Sequence, residues 1–411
     1  MAFSPDKLPA PFRCVNQVVG WLDRLTGKSW FDLSARKAMD IAARQTELSD
    51  FGPGKVEELL AVSCTSLTAE PLMTPLGRYL RRAEILHWLR NRLHVLNEVK
   101  IDPALREGEI RQPIFIVGMP RTGTTLLQRL LVLDPANRSP LFWETTHLFP
   151  LPVDVTSPSD SRIRLAERNL RFFDWVAPQI KTIHESGAKL PEECLGLLTQ
   201  GLITGIWIDQ SEKTREWVEA QDLSETYQLH KIQLQILQRG TTPRRWILKS
   251  PLHLLCLKWL LGTYPDATIV QTHRDPLEVF PSSASLFAHL AYLKYQKTDL
   301  RQIGRLTLQS LERALNSGEQ VRGASRQFPD SKCRFLDVHY TDLVKAPLEV
   351  IQSIYETLGW SLSEETKSAM TAFLKVNRQH KFGKHRYSVE DFGFTPAEIR
   401  ERFYAYFQGQ G

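Results

Sequence analysis

The chain has 411 residues, 42% of them hydrophobic and 24% charged, with a formal net charge of +6. It can therefore bury a sizeable core, and its positive balance suits an anionic ligand without selecting one. No apolar run approaches the roughly 18 residues of a membrane span. The five cysteines (Cys14, Cys64, Cys194, Cys256, Cys333) are scattered and odd in number, against a disulfide framework. The N-terminus carries no charged-then-apolar leader pattern, and the expectation is a soluble, cytoplasmic protein with reduced thiols.

In chain order, residues 1–110 read as a helical N-terminal region. Leu76, Tyr79, Leu80, Ile85, Leu86, Leu89, Leu93 and Leu96 recur at helical spacing between Thr74 and Leu96, with arginines interleaved. A turn at Asp50–Gly54 interrupts the region. From Gln112 the pattern changes to short strands alternating with helices, the signature of a parallel sheet with crossovers. Strands are expected at Ile114–Val117, Arg245–Leu248, Ala267–Thr272 and Cys333–Tyr340. Residues 111–411 thus form one α/β domain, a P-loop-type parallel sheet flanked by helices. The stretch 150–240, which includes Trp175, Trp207, Trp217 and Tyr227, reads as a helical insertion on a strand-loop face, where substrate selection usually lives.

The segment after the first strand carries the most information. Gly118 and Gly123 stand at the G-x-x-x-x-G spacing of a phosphate-binding loop, and Leu126, Leu127, Leu130, Leu131 and Leu133 continue as an amphipathic helix. Backbone N–H groups and a helix N-terminus make an anion site there. Thr124 occupies the place of the lysine that reaches a γ-phosphate, and Arg121 sits inside the loop. Such a loop holds a phosphate-like group without nucleoside triphosphate chemistry. Two further strand ends carry cations, Lys249 (before Ser250 and Pro251) and Arg274 (before Asp275 and Pro276), facing the crevice where open α/β sheets bind ligands. Ser282 lies a turn or two into the helix after Arg274, and an arginine with a hydroxyl suits a second phosphate.

These three clusters, in this order, resemble the sulfotransferase superfamily, in its bacterial branch with a G-x-P-R-[ST]-G-T-T loop, an L-K-S-P strand end and an H-R-D-P strand end. The resemblance runs from Thr74 to the segment Gly383–Gly393. It implies transfer of a sulfonate from 3′-phosphoadenosine-5′-phosphosulfate (PAPS) to an acceptor hydroxyl or amine. Carried over by position, it puts Arg121, Thr122, Gly123, Thr124 and Thr125 on the phosphosulfate and Lys249 at the bridging oxygen. Arg274 and Ser282 fall on the 3′-phosphate, Tyr340 on the nucleotide side, and the basic loop containing Lys384 and His385 over the nucleotide. The arginine that the family often places a turn beyond the serine is replaced here by Leu286 and Phe287.

Sulfuryl transfer is an in-line displacement that needs positioning, charge stabilisation and a base. No metal is required by this chemistry, and no H-x-x-x-H or carboxylate cluster suggests one. For the base, the resemblance points to Glu144, which follows the loop helix among aromatic neighbours, where protein-tyrosine sulfotransferases place a glutamate. Its plainer reading is a capping or ion-paired glutamate. His184 is the alternative, and His147 and His253 trail. Pro191, Glu192 and Glu193 read as a helix start.

Two other classes compete. A small-molecule kinase using Mg-ATP would need a loop lysine and a metal-binding carboxylate, for which Asp337 is the only tolerable residue. A basic binding or scaffold protein would need a Lys/Arg stripe, but acids interrupt the basic residues, which also argues against nucleic acid. The expected acceptor is a small-molecule, lipid-like or glycan compound, with an apolar or aromatic alcohol favoured over a polyanionic glycan by the tryptophan and phenylalanine residues between Phe142 and Trp217. No feature of the sequence specifies an oligomer.

Overall fold

The computed structural model describes residues 8–26, 31, 34–53, 56–68, 73–149, 151, 160–178, 180, 185–201, 216–217, 220–241, 244–295, 298–325, 332–377 and 387–408. Five parallel strands form one sheet: β1 (Ile114–Gly118), β2 (Asn137–Arg138), β3 (Arg245–Lys249), β4 (Thr268–His273) and β5 (Arg334–His339). Their order is β2-β3-β1-β4-β5, with Ile114 opposite both Ile247 and Thr268 in register. The four longer strands lie where alternation with helices predicts them, each shifted by a residue or two. The two-residue β2 has no apolar pattern to announce it.

The central strand explains the register. Ile114, Phe115, Ile116 and Val117 are all fully buried, and each contributes about 1.5–3 kcal/mol by leaving water. Being covered on both faces, they read as a continuous apolar run rather than an alternating one. Ile114 and Ile116 face Leu127, Leu130, Leu131 and Ile354. Phe115 and Val117 face a larger core shared with the N-terminal helices.

Those helices (Ala10–Thr26, Ala35–Thr46, Val56–Thr68 and Pro75–Ile101) match the expected helical N-terminal region. Thr74 caps the last, its hydroxyl accepting from the Gly77 N–H, with Pro75 at the first helical position. The turn at Asp50 is closed by its carboxylate accepting the Gly52 N–H at 2.7 Å. Ala42, Leu60, Ile85, Leu89 and Leu93 are buried in the same core as Phe115, so the region is packed onto the sheet. In the expected insertion, the described residues form the helices Ser161–Val176, Leu195–Leu198 and Ser224–Gln238. Among the described residues no helix is long and apolar enough to cross a membrane, and all five cysteines are free.

Candidate active site

The loop between β1 and the helix Thr124–Leu131 is shaped by sterics. Gly118 has φ +143°, and a Cβ there would stand 2.5 Å from the Thr272 hydroxyl and 2.7 Å from its carbonyl oxygen, so only glycine lets β1 run this close to β4. Gly123 has φ +92°, with Tyr340 and Leu343 each 3.0 Å from where a Cβ would be. Between them Arg121 adopts φ +70°, a left-handed conformation costing a non-glycine residue about 1–2 kcal/mol. Thr122 turns its hydroxyl inward, donating to the Met119 carbonyl at 2.7 Å and meeting the Thr272 hydroxyl at 2.6 Å. Its side chain therefore holds the loop, and any ligand contact from Thr122 falls to its backbone.

The remaining loop residues open onto a cleft of about 800 Å³ at the carboxyl ends of β1, β3, β4 and β5. Arg121, Gly123, Thr124, Thr125, Ser250, Arg274 and Tyr340 line it. Arg121 Nε donates to the Ser282 hydroxyl at 3.3 Å, and Arg274 donates to the Arg121 carbonyl at 2.8 Å. The Arg274 guanidinium lies 4.1 Å from the centroid of the Tyr340 ring. Burial pushes the Arg121 guanidinium below its usual range, with Arg274 adding to the effect, yet an arginine remains a cation there. Two guanidinium groups, a serine hydroxyl and an aromatic face thus converge from three chain segments far apart in sequence.

At the other end of the loop stands Lys249, 1% exposed. Its ammonium donates to Glu193 Oε1 at 2.6 Å and to the Thr125 hydroxyl at 3.4 Å. Glu193 is held there by its neighbours: Pro191 bridges to Leu141, the Glu192 N–H donates to Pro140, and the Cys194 N–H donates to the Lys249 carbonyl at 2.8 Å. Reading Pro191–Glu193 as a helix start is consistent with the helix Leu195–Leu198 that follows, but it hides this role. Nothing local to Glu193 signals a lysine on a strand 56 residues away.

Glu144 has different surroundings. One of its carboxylate oxygens accepts from Arg138 at 2.6 Å and the other from the Leu141 N–H at 2.8 Å. It is 5% exposed and, like the buried Lys249 and Ser282, does not line the cleft, but unlike Lys249 its side chain bonds to no residue that lines it. The capping and ion-paired reading describes these contacts, and its neighbours Phe142, Thr145 and Thr146 reach the cleft instead. His253 is fully buried against Tyr227, and His147 pairs with Asn169. His184, Lys384, His385 and Trp207 lie outside the described residues.

The cleft's far wall is apolar. Leu286 and Phe287 line it with Leu290, Phe173, Phe142 and Leu374, so the residues standing in place of an arginine form a greasy surface. Asp337 has no free carboxylate for a metal: Arg322 donates to it at 2.6 Å and His273 lies 2.8 Å away. Burial alone would raise the Asp337 pKa, but these bonds and charges hold it well below the usual carboxylate range.

Comparison with known proteins gives four findings. The profile of the Sulfotransferase family matches residues 113–364. The chain superposes on the crystal structure of sulfotransferase STF1 from Mycobacterium tuberculosis H37Rv with a TM-score of 0.79 and 30% identity, covering 91% of this chain and 100% of that one. It superposes on sulfotransferase STF9 from Mycobacterium avium with a TM-score of 0.81 and 28% identity, covering 92% and 96%. It is also 24% identical over 302 residues to the omega-hydroxy-beta-dihydromenaquinone-9 sulfotransferase Stf3 of Mycobacterium bovis, across 68% of this chain and 70% of that protein.

Proposed function

This chain belongs to the Sulfotransferase family, and from that premise we propose that it transfers a sulfonate group from PAPS to a hydroxyl, or an amine, of an apolar, lipid-like acceptor. The observation that carries the reading is the cleft itself. Arg121, Arg274, Thr124, Thr125 and Glu193 line it, with Ser282 and Lys249 buried behind them and bonded to Arg121 and Glu193. The donors are cations, hydroxyls and backbone N–H groups, the set that a nucleotide carrying a 3′-phosphate and a 5′-phosphosulfate calls for.

PAPS supplies the activated sulfonate, and the chain supplies placement and charge. Arg274 and Ser282 hold the 3′-phosphate while Tyr340 flanks the nucleotide. The loop N–H groups with Thr124 and Thr125 hold the phosphosulfate, and Arg121 offsets charge on its oxygens. Lys249 leaves Glu193 to donate to the bridging oxygen as the S–O bond to phosphate breaks. Glu193, then unpaired, accepts the acceptor's O–H proton as the new S–O bond forms. Glu144 keeps the adjoining turn in place through Arg138. The apolar wall around Phe287 and Leu290 excludes water and receives the acceptor chain. A relative named for acting on an omega-hydroxy-dihydromenaquinone supports an acceptor of that lipid-like kind. The unit division, with residues 1–110 as helical buttress and 150–240 as acceptor side, belongs to the same reading.

The test is an acceptor screen with PAPS, using a hydroxylated isoprenoid quinol, a long-chain primary alcohol, a simple phenol and a disaccharide, read by mass spectrometry. The quinol or alcohol should gain one sulfonate. Transfer to the disaccharide alone would refute the lipid-like acceptor.

A further inference from the structure

Immediately beside the Lys249–Glu193 pair, and sealed from solvent, three metal-binding side chains meet. Cys194 follows Glu193 in sequence, His253 lies just beyond Lys249, and His230 comes from the helix Ser224–Gln238. All three are 0% exposed. The Cys194 Sγ and one nitrogen of each histidine lie within 4.8 Å of one another. The imidazoles are oriented from behind: His253 Nδ1 is 2.8 Å from the Tyr227 hydroxyl and His230 Nδ1 is 2.8 Å from the Tyr264 hydroxyl. Their rings stand nearly perpendicular, at 81° with centroids 5.9 Å apart, and Phe115 makes a T-shaped contact with His253.

The second observation is what these histidines lack. Among the described residues, His230 Nε2 and His253 Nε2 are both fully buried without any hydrogen-bond partner. An orphaned buried polar atom costs about 1–3 kcal/mol, so two at one place, beside a thiol, call for a single occupant that satisfies both.

We propose that Cys194 Sγ, His230 Nε2 and His253 Nε2 bind a transition-metal ion, zinc foremost, with the fourth coordination position left to a water. One sulfur and two imidazole nitrogens form a donor set that zinc takes, with bonds of roughly 2.0–2.3 Å toward which the ligands close. A metal-bound histidine normally gives its other ring N–H to a fixed acceptor, and both tyrosine hydroxyls stand where that acceptor belongs. Burial keeps both imidazoles neutral with their lone pairs available, pushing His230 down to about 3 and His253 well below its ordinary value. Burial also pushes the Cys194 thiol up to about 12. Binding therefore forms a sulfur–metal bond, breaks the S–H bond and releases one proton to solvent. The three ligands are widely separated in sequence, so no metal-binding spacing shows in the chain. The ion would clamp the strand end that carries Lys249 to the loop that carries Glu193. The site stands on its own observations, whatever reaction the cleft performs.

The test uses the full chain purified without a metal column, supplied with one equivalent of Zn²⁺ or Co²⁺. Elemental analysis should find about one ion per chain, and the cobalt form should show a thiolate-to-metal charge-transfer band in the near ultraviolet. Cys194→Ser and His230→Gln should abolish both signals, whereas Cys333→Ser, at a half-buried cysteine elsewhere, should keep them. If the ligand variants fail to fold, X-ray absorption of the wild-type zinc form replaces them and should read a single sulfur with imidazole nitrogens. Metal-free protein after zinc addition would overturn the proposal and leave a bridging water as the occupant. So would an ion retained by folded Cys194→Ser and His230→Gln, or an absorption spectrum without sulfur.

Discussion

Replacing Glu193 by Gln tests the catalytic geometry because the change keeps shape and removes charge. In the native pair the Lys249 ammonium and the Glu193 carboxylate are 2.6 Å apart, with the lysine side chain 1% and the glutamate side chain 20% exposed. Glu193→Gln leaves the ammonium with an amide oxygen and the Thr125 hydroxyl as acceptors. Stripping one partner from a fully buried pair costs about 3–5 kcal/mol, and these remaining acceptors with the partial exposure of Glu193 place the cost below that range. The kinetic effect is larger. Loss of the proton acceptor lowers kcat by about 10²–10⁴-fold, equivalent to roughly 2.7–5.5 kcal/mol in the barrier. Glu144→Gln is the paired control. It weakens the bond from Arg138 and the cap on Leu141, costing about 1–3 kcal/mol of stability, while kcat of the folded enzyme stays within about tenfold. The assay is the initial rate of adenosine 3′,5′-bisphosphate release at saturating PAPS and acceptor, beside thermal unfolding of each variant. A Glu144→Gln enzyme that is inactive but unchanged in Tm, beside an active Glu193→Gln enzyme, would refute the assignment and return the proton to Glu144.

Other substitutions probe the rest of the site. Arg274→Ala removes a charged donor worth about 1.5–3 kcal/mol, so calorimetry should show roughly 10–150-fold weaker binding of adenosine 3′,5′-bisphosphate and little change for adenosine-5′-phosphosulfate; equal losses would take Arg274 off the 3′-phosphate. Leu290→Asp puts a charge on the apolar wall and should cost a lipid acceptor roughly 10–100-fold in kcat/KM with bisphosphate binding intact, whereas an unchanged kcat/KM would remove the acceptor from this wall. Asp337, held below the usual carboxylate range by Arg322 and His273, contributes stability that is full above its unfolded pKa of about 3.9 and is lost as pH falls through its folded value. Asp337→Asn should accordingly unfold with a shallower acid limb than the wild type below about pH 4, and superimposable acid limbs would contradict this.

Much of the fold is legible in the chain because single-residue physics dictates it. A fully buried central strand has to be a continuous apolar run, and the approach of β1 to β4 admits only glycine at 118. Thr74 with Pro75 marks a helix start whatever packs around it. Long-range pairing is harder to see. Glu193 carries the local signature of a helix start and acquires its lysine only when β3 is in place. Glu144, next to Phe142 and Trp143, has neighbours that suggest a tuned acid, but Arg138 and the Leu141 N–H occupy both its oxygens. Leu286 and Phe287 register in the sequence as a missing arginine, and in the folded chain as an apolar wall. The cluster of Cys194, His230 and His253 has no spacing to betray it. The strand β2 is polar and two residues long, paired to the sheet edge through Arg245 and Trp246.

The central claim is that the cleft holds a nucleotide bearing a 3′-phosphate. Calorimetric titration with adenosine 3′,5′-bisphosphate, beside ADP and Mg-ATP, tests it most directly. The bisphosphate should bind tightly, with little heat from ADP or Mg-ATP. Preference for Mg-ATP, or no binding of any of the three, would contradict it.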